Sequence, residues 1–260
     1  MKLLNKILSH PLTRGKNIDD PQTTILRRDI IKSKPFLQKL YLEWYTEIKK
    51  RIPTGCITLE LGSGAGFFRE IIPNLITTEL FSAPGIDKVI DAHYLPFNDN
   101  ELGSIVMTDV MHHIPDICKF FQEATRCVKV GGCIVMIEPW NNPWAKWVYQ
   151  NLHHEPFDTN AGWTLPTSGP LSGANGALPW ILFERDRKKF EKQFIGWSVE
   201  EIKTIMPFSY LLSGGVSLRS FAPGSSYRFV RWLEKGAESK NWGMFAIIKL
   251  IKVDLMSSTQ

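Results

Sequence analysis

Between residues 57 and 138 five short apolar runs, Ile57 to Leu61, Leu75 to Leu80, Val89 to Ala92, Ser104 to Asp109 and Cys133 to Glu138, are separated by turns and helical stretches. Runs this short and this continuous suit strands buried on both faces, and such strands in series need crossover connections. The pattern therefore predicts a mostly parallel sheet with helices packed against it. Between the last two runs Ile117, Phe120, Phe121, Ala124 and Val128 form one apolar stripe, read as a helix that Gly131-Gly132 ends. Upstream, Leu26, Ile30, Ile31, Phe36, Leu37, Leu40, Tyr41, Trp44, Tyr45 and Ile48 recur at helical spacing with a break near Pro35, which predicts two amphipathic helices. Regularity lapses after Glu138 until about Trp197; Val199 to Met206 and Gly243 to Val253 then read as two final strands, with a helix around Tyr227 to Lys235 between them.

With 260 residues, 43% of them hydrophobic and 22% charged, the chain suits one domain with one core. No apolar run approaches the ~20 residues of a membrane helix, and the opening MKLLNKILSHPLTRGK has few apolar positions. A cytoplasmic location is expected, with peripheral membrane contact left open. Cys56, Cys118, Cys127 and Cys133 lack paired close spacing and are read as reduced thiols. The net charge of +5 is uneven, with basic flanks and an acidic centre. That distribution, without a dense basic run interleaved with aromatics, argues against a nucleic-acid channel.

Glu60-Leu61-Gly62-Ser63-Gly64-Ala65-Gly66 follows one strand and precedes a short helical stretch, Phe67 to Ile72. Three alternating glycines let the backbone turn tightly and approach a ligand closely. The spacing differs from the dinucleotide G-x-G-x-x-G. The next strand ends in Thr77-Thr78-Glu79, about twenty residues on, where an acid can accept from both ribose hydroxyls. Asp91-Ala92-His93-Tyr94-Leu95-Pro96-Phe97 offers an acid and an apolar collar for an adenine ring. Two further motifs follow, Thr108-Asp109-Val110-Met111-His112-His113-Ile114-Pro115 and Val130-Gly131-Gly132.

Taken in order and spacing, these five motifs resemble the class I S-adenosylmethionine-dependent methyltransferases, and most of all the methyltransferase type 11 family, over about residues 57 to 140. The resemblance implies an α/β, Rossmann-like three-layer sandwich. Its seven-stranded sheet would be mostly parallel with the last strand antiparallel, with added N-terminal helices and a lid-like insertion. It divides a single domain, 1–260, into a helical cover (1–53), a cofactor-binding half (54–140), a lid or substrate insertion (141–196) and C-terminal strands (197–260). S-adenosylmethionine is the implied cofactor. Glu60, Gly62, Ser63, Gly64 and Gly66 would surround its methionine and ribose part, Glu79 the ribose, and Asp91 and Ala92 the adenine, while Thr108 and His112 would flank the methionine end. The connection from Leu80 to Gly85 is shorter than the family's usual helix, so the second and third strands must be joined by a loop.

Methyl transfer is an in-line attack that needs positioning and, for some acceptors, removal of a proton. Ligands in this fold gather at the carboxyl ends of the strands, which directs attention to the loops after Asp109 and Glu138. After Glu138, Asn142 can cap a helix opened by Pro143, and Trp144, Trp147, Val148 and Asn151 fall on one face, read as mainly core. The long stretch Pro156 to Pro179 suits a lid or binding loop. His113, His153 and His154 are the candidate bases, since imidazole titrates near neutrality. No metal is expected, because adjacent side chains such as His153, His154 and Glu155 point apart on a helix. The reading is methylation of a small-molecule or glycan-type acceptor, at oxygen. The alternatives are carbon or nitrogen methylation of a lipophilic ring such as a quinone, and a non-catalytic, cofactor-binding regulatory partner.

Overall fold

A computed structural model describes residues 10–12, 20–64, 66–153, 155–165, 173–237 and 241–254. Its strands are β1 (Thr58–Leu61), β2 (Leu75–Glu79), β3 (Lys88–Val89), β4 (Leu102–Thr108), β5 (Val128–Pro139), β6 (Trp197–Ile205) and β7 (Phe245–Lys252). They form one sheet in the order β3-β2-β1-β4-β5-β7-β6, parallel throughout except for β7, which runs against both β5 and β6. The expected Rossmann-like sandwich is what the chain adopts. β4 and the last seven residues of β5 are almost wholly buried, as continuous apolar strands covered on both faces must be.

Helices α1 (Pro21–Ser33) and α2 (Pro35–Lys49) are the two amphipathic helices expected, and Pro35 occupies the first turn of the second. Proline fits there because the first amides of a helix have no internal partner. The covering helices lie on opposite faces. On β7, Phe245 and Lys252 are seven residues apart and so point to opposite sides; Phe245 meets Trp44 of α2. Trp197, paired with Lys252, meets Phe121 of α3 (Ile117–Cys127).

Two expectations need correction. Gly131-Gly132 does not end α3, which stops at Cys127; Val128 is already extended, at φ −82 and ψ 132, and begins β5. β-Branched Val128 and Val130 favour the sheet. The glycines form a bulge inside it, where pairing passes from Leu102↔Val128 to Ser104↔Cys133, and a Cβ on Gly132 would stand 2.7 Å from the Gly103 carbonyl. The second correction concerns α4 (Pro143–Leu152): Asn142 caps it as expected, through a 2.8 Å bond from the Ala145 amide, but only Val148 of the proposed stripe is fully buried. Trp147 is 53% exposed and stacks on Trp144.

Beyond α4 the insertion returns through a helical turn, Leu178–Trp180, that widens into a π-type turn, Ile181–Arg185, before α5 (Arg187–Gln193). Short α6 (Ser209–Ser213) and then α7 (Tyr227–Lys235) lie between β6 and β7.

Candidate active site

The carboxyl ends of β1, β2 and β4 open onto a cavity of about 190 Å³. Its wall includes Gly62, Gly64, Glu79, Asp91, Ala92, Thr108, Asp109 and His113, joined by Thr24 and Arg27 from α1, Tyr41 from α2, and Tyr210 from α6. The loops reach this place because the parallel sheet puts every strand-to-helix connection on one side.

The glycine loop turns immediately after β1. Gly62 and Gly64 have φ of +61° and +42°, in the left-handed region that glycine enters without a Cβ penalty. A Cβ on Gly62 would come within 2.7 Å of the Val110 side chain, and one on Gly64 within 3.2 Å of Glu79 Oε1. The loop is held from three sides. The Ser63 amide donates to the Thr78 carbonyl at 2.8 Å, Ser63 Oγ accepts from the Thr78 amide at 3.0 Å, and Arg28 donates to the carbonyls of Gly64 and Pro84 at 3.2 and 2.7 Å. Gly66 packs against the Tyr45 hydroxyl, so it supports the loop from outside the cavity.

Two carboxylates flank this turn. Glu79, at the end of β2, lines the cavity and accepts from the Leu80 amide at 3.0 Å; burial raises its pKa. Glu60 is 3% exposed and lies behind the loop; burial pushes its carboxyl up to about 7, with the Ser63 hydrogen bond opposing and the charge of Glu79 adding. Asp91 sits at the rim, exposed, and accepts from the His93 amide at 2.9 Å. Ala92 lies beside it in the wall. The β2–β3 connection is a loop, as its length required.

A second group of charges lies under the cavity floor. Glu138, fully buried on β5, accepts from the amides of Val110 and Met111 at 2.9 and 2.7 Å and from His112 Nδ1 at 2.7 Å. One carboxylate thus caps the 3-10 turn Met111–His113 and fixes an imidazole. Burial alone would discharge His112, but the hydrogen bonds to Glu138 and Glu155 outweigh it and raise its pKa well above the usual value. Its Nε2 lies 3.4 Å from Glu155 Oε2 and 3.9 Å from Asp109 Oδ1. Burial would raise Glu155 too, yet the hydrogen bond and charge of His112, with His113 and His153 nearby, hold it well below the carboxylate range. His113 is pushed down to about 3, first by burial and then by the charge of His112, so it is neutral near pH 7. Potential ligand atoms of His112, His113 and Glu155 lie within 4.8 Å of one another, as do those of Asp109, His112 and Glu138.

Asp109 is where the two groups meet. It follows the last residue of β4 with φ +62°, a conformation that a residue with a side chain adopts at some cost. Its amide donates to the Ile137 carbonyl at 2.8 Å, which ties it to the neighbouring strand. Burial raises its carboxyl to about 7; the positive charge of His112 opposes this, and the negative charges of Glu155 and Glu138 add to it. Asp109 lines both the main cavity and a small adjoining one of about 10 Å³, shared with Tyr149, His153, Glu155 and Tyr210.

Of the residues expected at the site, Gly62, Gly64, Glu79, Asp91, Ala92, Thr108 and His113 share the main cavity. Glu60, Ser63, Gly66 and His112 support it from behind. His153 lies in the small cavity, where Nδ1 accepts from the Glu155 amide at 3.3 Å. His154 falls outside the described residues, as do Ala65 and 166–172 of the insertion. The described part of the insertion docks on the turn after β4: Asn175 donates to the His112 carbonyl at 3.0 Å, and Leu165 to Pro115 at 3.1 Å. Sequence reasoning missed Asp109 as a site residue, although it directed attention to the loop that begins there. It also missed Arg27 and Tyr210, which reach the cavity by tertiary folding, and Arg28, which clamps the glycine loop.

A methyltransferase-domain family model matches residues 59–136, which span β1 to β5. These residues form a class I S-adenosylmethionine-dependent methyltransferase domain. Solved structures agree at the level of fold. A geranyl diphosphate C-methyltransferase from Streptomyces coelicolor is 14% identical, with 95% of this chain and 92% of that one covered and a TM-score of 0.53. A Thermotoga maritima protein described as a possible histamine N-methyltransferase is 18% identical over 88% and 99%, with a TM-score of 0.52. A Haloferax volcanii methyltransferase, solved with its activator Trm112, is 11% identical over 92% and 100%, with a TM-score of 0.51. No curated protein sequence matches the chain. No helix among the described residues is long and apolar enough to cross a membrane.

The methyltransferase domain's cofactor is S-adenosylmethionine, and the residues around the cavity suit it. Thr108 Oγ1 is buried there without a hydrogen-bond partner, His113 Nδ1 likewise, and both await a polar group. Gly64 leaves open the space beside Glu79 that a side chain would crowd.

Proposed function

We propose that this domain methylates a hydroxyl of a small-molecule or glycan-type acceptor, with Asp109 as the general base. The observation that carries the reading is Asp109 itself, a half-buried carboxyl near pKa 7 on a left-handed turn, facing the cavity from beside an imidazolium. A hydroxyl must lose its proton as it attacks, and a base works best when its pKa lies near the working pH. His113, at about 3, accepts a proton much less readily, so it is assigned a positioning role in the cavity wall.

Gly62, Gly64 and Thr108 would hold the methionine part of the cofactor, Glu79 the ribose, and Asp91 and Ala92 the adenine. When bound, the cofactor supplies an electrophilic methyl group. The protein then has three tasks: Glu138 and His112 keep the turn after β4 rigid, the insertion and Tyr210 close the acceptor side against water, and Asp109 takes the hydroxyl proton. His153 borders the small cavity and can relay that proton onward. His154 is kept as a candidate base from sequence alone.

The test supplies methyl-labelled S-adenosylmethionine to the purified chain with fractionated cell extract and identifies the labelled product. Asp109→Asn should lower transfer by about 10²–10⁴-fold while thermal stabilisation by S-adenosylhomocysteine persists. Label found on carbon or nitrogen would favour the lipophilic-ring acceptor, for which the apolar side of the cavity, Phe81, Ile114 and Pro115, speaks. Binding of S-adenosylhomocysteine without transfer in any fraction would favour a regulatory partner.

A further inference from the structure

Helix α7 is laid down with its charges inward and its aromatics outward. Tyr227, Arg231 and Glu234 form its buried face: Arg231 is held by Glu43 and Glu234, each at 2.6 Å, and Tyr227 donates to Glu43 at 2.6 Å. These bonds fix the rotation of the helix. Phe229, Trp232 and Leu233, at the i, i+3, i+4 spacing of one face, are consequently 62%, 68% and 54% exposed, with Phe229 stacked on Trp232. Three large apolar side chains on one short helix leave a patch that water solvates poorly.

Its surroundings are basic. Arg228 and Lys235 are exposed on the same helix, and a groove of about 870 Å³ beside Trp232 adds Lys39 and Lys203. The acids of that groove, Glu43 and Glu47, are already engaged by Arg231 and by Lys50 and Arg51. An aromatic face bordered by cations and by acids whose charge is already matched is complementary to an anionic, partly apolar surface. Position matters as well. β6 runs parallel to β5, so the connection from β6 to β7 leaves and returns at the carboxyl ends of the strands, and it carries both α7 and the cavity residues Tyr210 and Val216.

We propose that the α7 face docks the protein on an anionic phospholipid bilayer, with the active-site side of the sheet turned toward the membrane. Phe229, Trp232 and Leu233 enter the headgroup boundary while Arg228 and Lys235 meet lipid phosphates. A lipophilic or lipid-linked acceptor could then reach the cavity from the bilayer.

Flotation of the full chain with phosphatidylcholine vesicles, with and without phosphatidylglycerol, tests this. Binding is expected only to the anionic vesicles and should weaken with salt. The pair Phe229→Ser and Trp232→Ser, and separately Arg228→Glu and Lys235→Glu, should each lower binding roughly tenfold or more. Both double variants should keep the thermal shift given by S-adenosylhomocysteine, which shows that they fold. The proposal falls if the parent chain ignores anionic vesicles or if both variants bind as it does. It falls equally if the serine pair turns a dimer into a monomer in light scattering without changing vesicle binding, since a second copy then owns the face.

Discussion

Glu60 carries a pH dependence that can be worked from its surroundings. It is 3% exposed, and burial lifts its carboxyl from 4.5 to about 7, so between those values the folded chain holds a proton that the unfolded chain has released. Stability falls with rising pH wherever the native state binds more protons, so this group destabilises the fold progressively from about pH 4.5 to about pH 7. A shift of that size corresponds to about 3 kcal/mol at ~1.4 kcal/mol per unit, fully present above pH 7 and absent below 4.5. Glu60→Gln keeps the shape and cannot ionise. Urea unfolding of parent and variant at pH 4.5 and pH 8 should show similar stability at the lower pH and a variant more stable by about 3 kcal/mol at the higher. The comparison cancels Asp109, which titrates in the same window in both proteins. Equal differences at the two pH values, within about 0.5 kcal/mol, would refute the reasoning. The same substitution should weaken S-adenosylmethionine binding by isothermal titration, because a carboxylate behind the glycine loop favours a cationic ligand.

Further outcomes follow from the loop and the buried charges. Gly62→Ala should destabilise the fold by about 1–2 kcal/mol from its left-handed φ and more from the overlap with Val110; adding Val110→Ala should recover the overlap part in thermal unfolding, and strict additivity would show that the side chains do not collide. Glu138→Ala leaves His112 and two amides unpartnered and should cost about 3–5 kcal/mol in urea unfolding; a cost below 1 kcal/mol would mean the capping role is misassigned. Arg28→Ala frees the glycine loop from its clamp and should raise the dissociation constant of S-adenosylhomocysteine several-fold with little change in stability, since the arginine is half-buried. An unchanged constant would place the clamp outside the binding energy.

The sheet could be read from residues 57 to 138 because burial on both faces leaves a local signature: β4 and the end of β5 are runs of apolar side chains, and no polar alternation competes. The glycine loop could be read for a similar reason, since positive φ at Gly62 and Gly64 is a backbone demand that glycine answers without a Cβ penalty. The end of α3 misled because Gly131-Gly132 looks the same in sequence whether it stops a helix or forms a bulge; the register between β4 and β5 decides, and register is tertiary. Trp147 misled for a related reason. Its place on a helical stripe says which neighbours it shares a face with, and only the packing of α4 says whether that face is covered.

The histidines mark the deeper limit. From sequence, His113, His153 and His154 are the natural bases because their unperturbed pKa is near 7, and Asp109 is a strand-end acid with an ordinary pKa near 4. Folding reverses His113 and Asp109. One buried carboxylate, Glu138, holds His112 charged; burial and that charge depress His113, while burial and the neighbouring carboxylates raise Asp109 to about 7. None of these effects belongs to a residue alone, and each passes through a contact between β5, the turn after β4 and Glu155. The division has a consequence for specificity. The cofactor side is built by β1, β2 and β4 with their own loops, whereas Tyr149, His153, Glu155 and Phe157 come from α4 and the insertion. Under the proposed function, changes in the insertion therefore alter the acceptor, and through Glu155 the proposed base Asp109, while Gly62, Gly64 and Glu79 stay as they are.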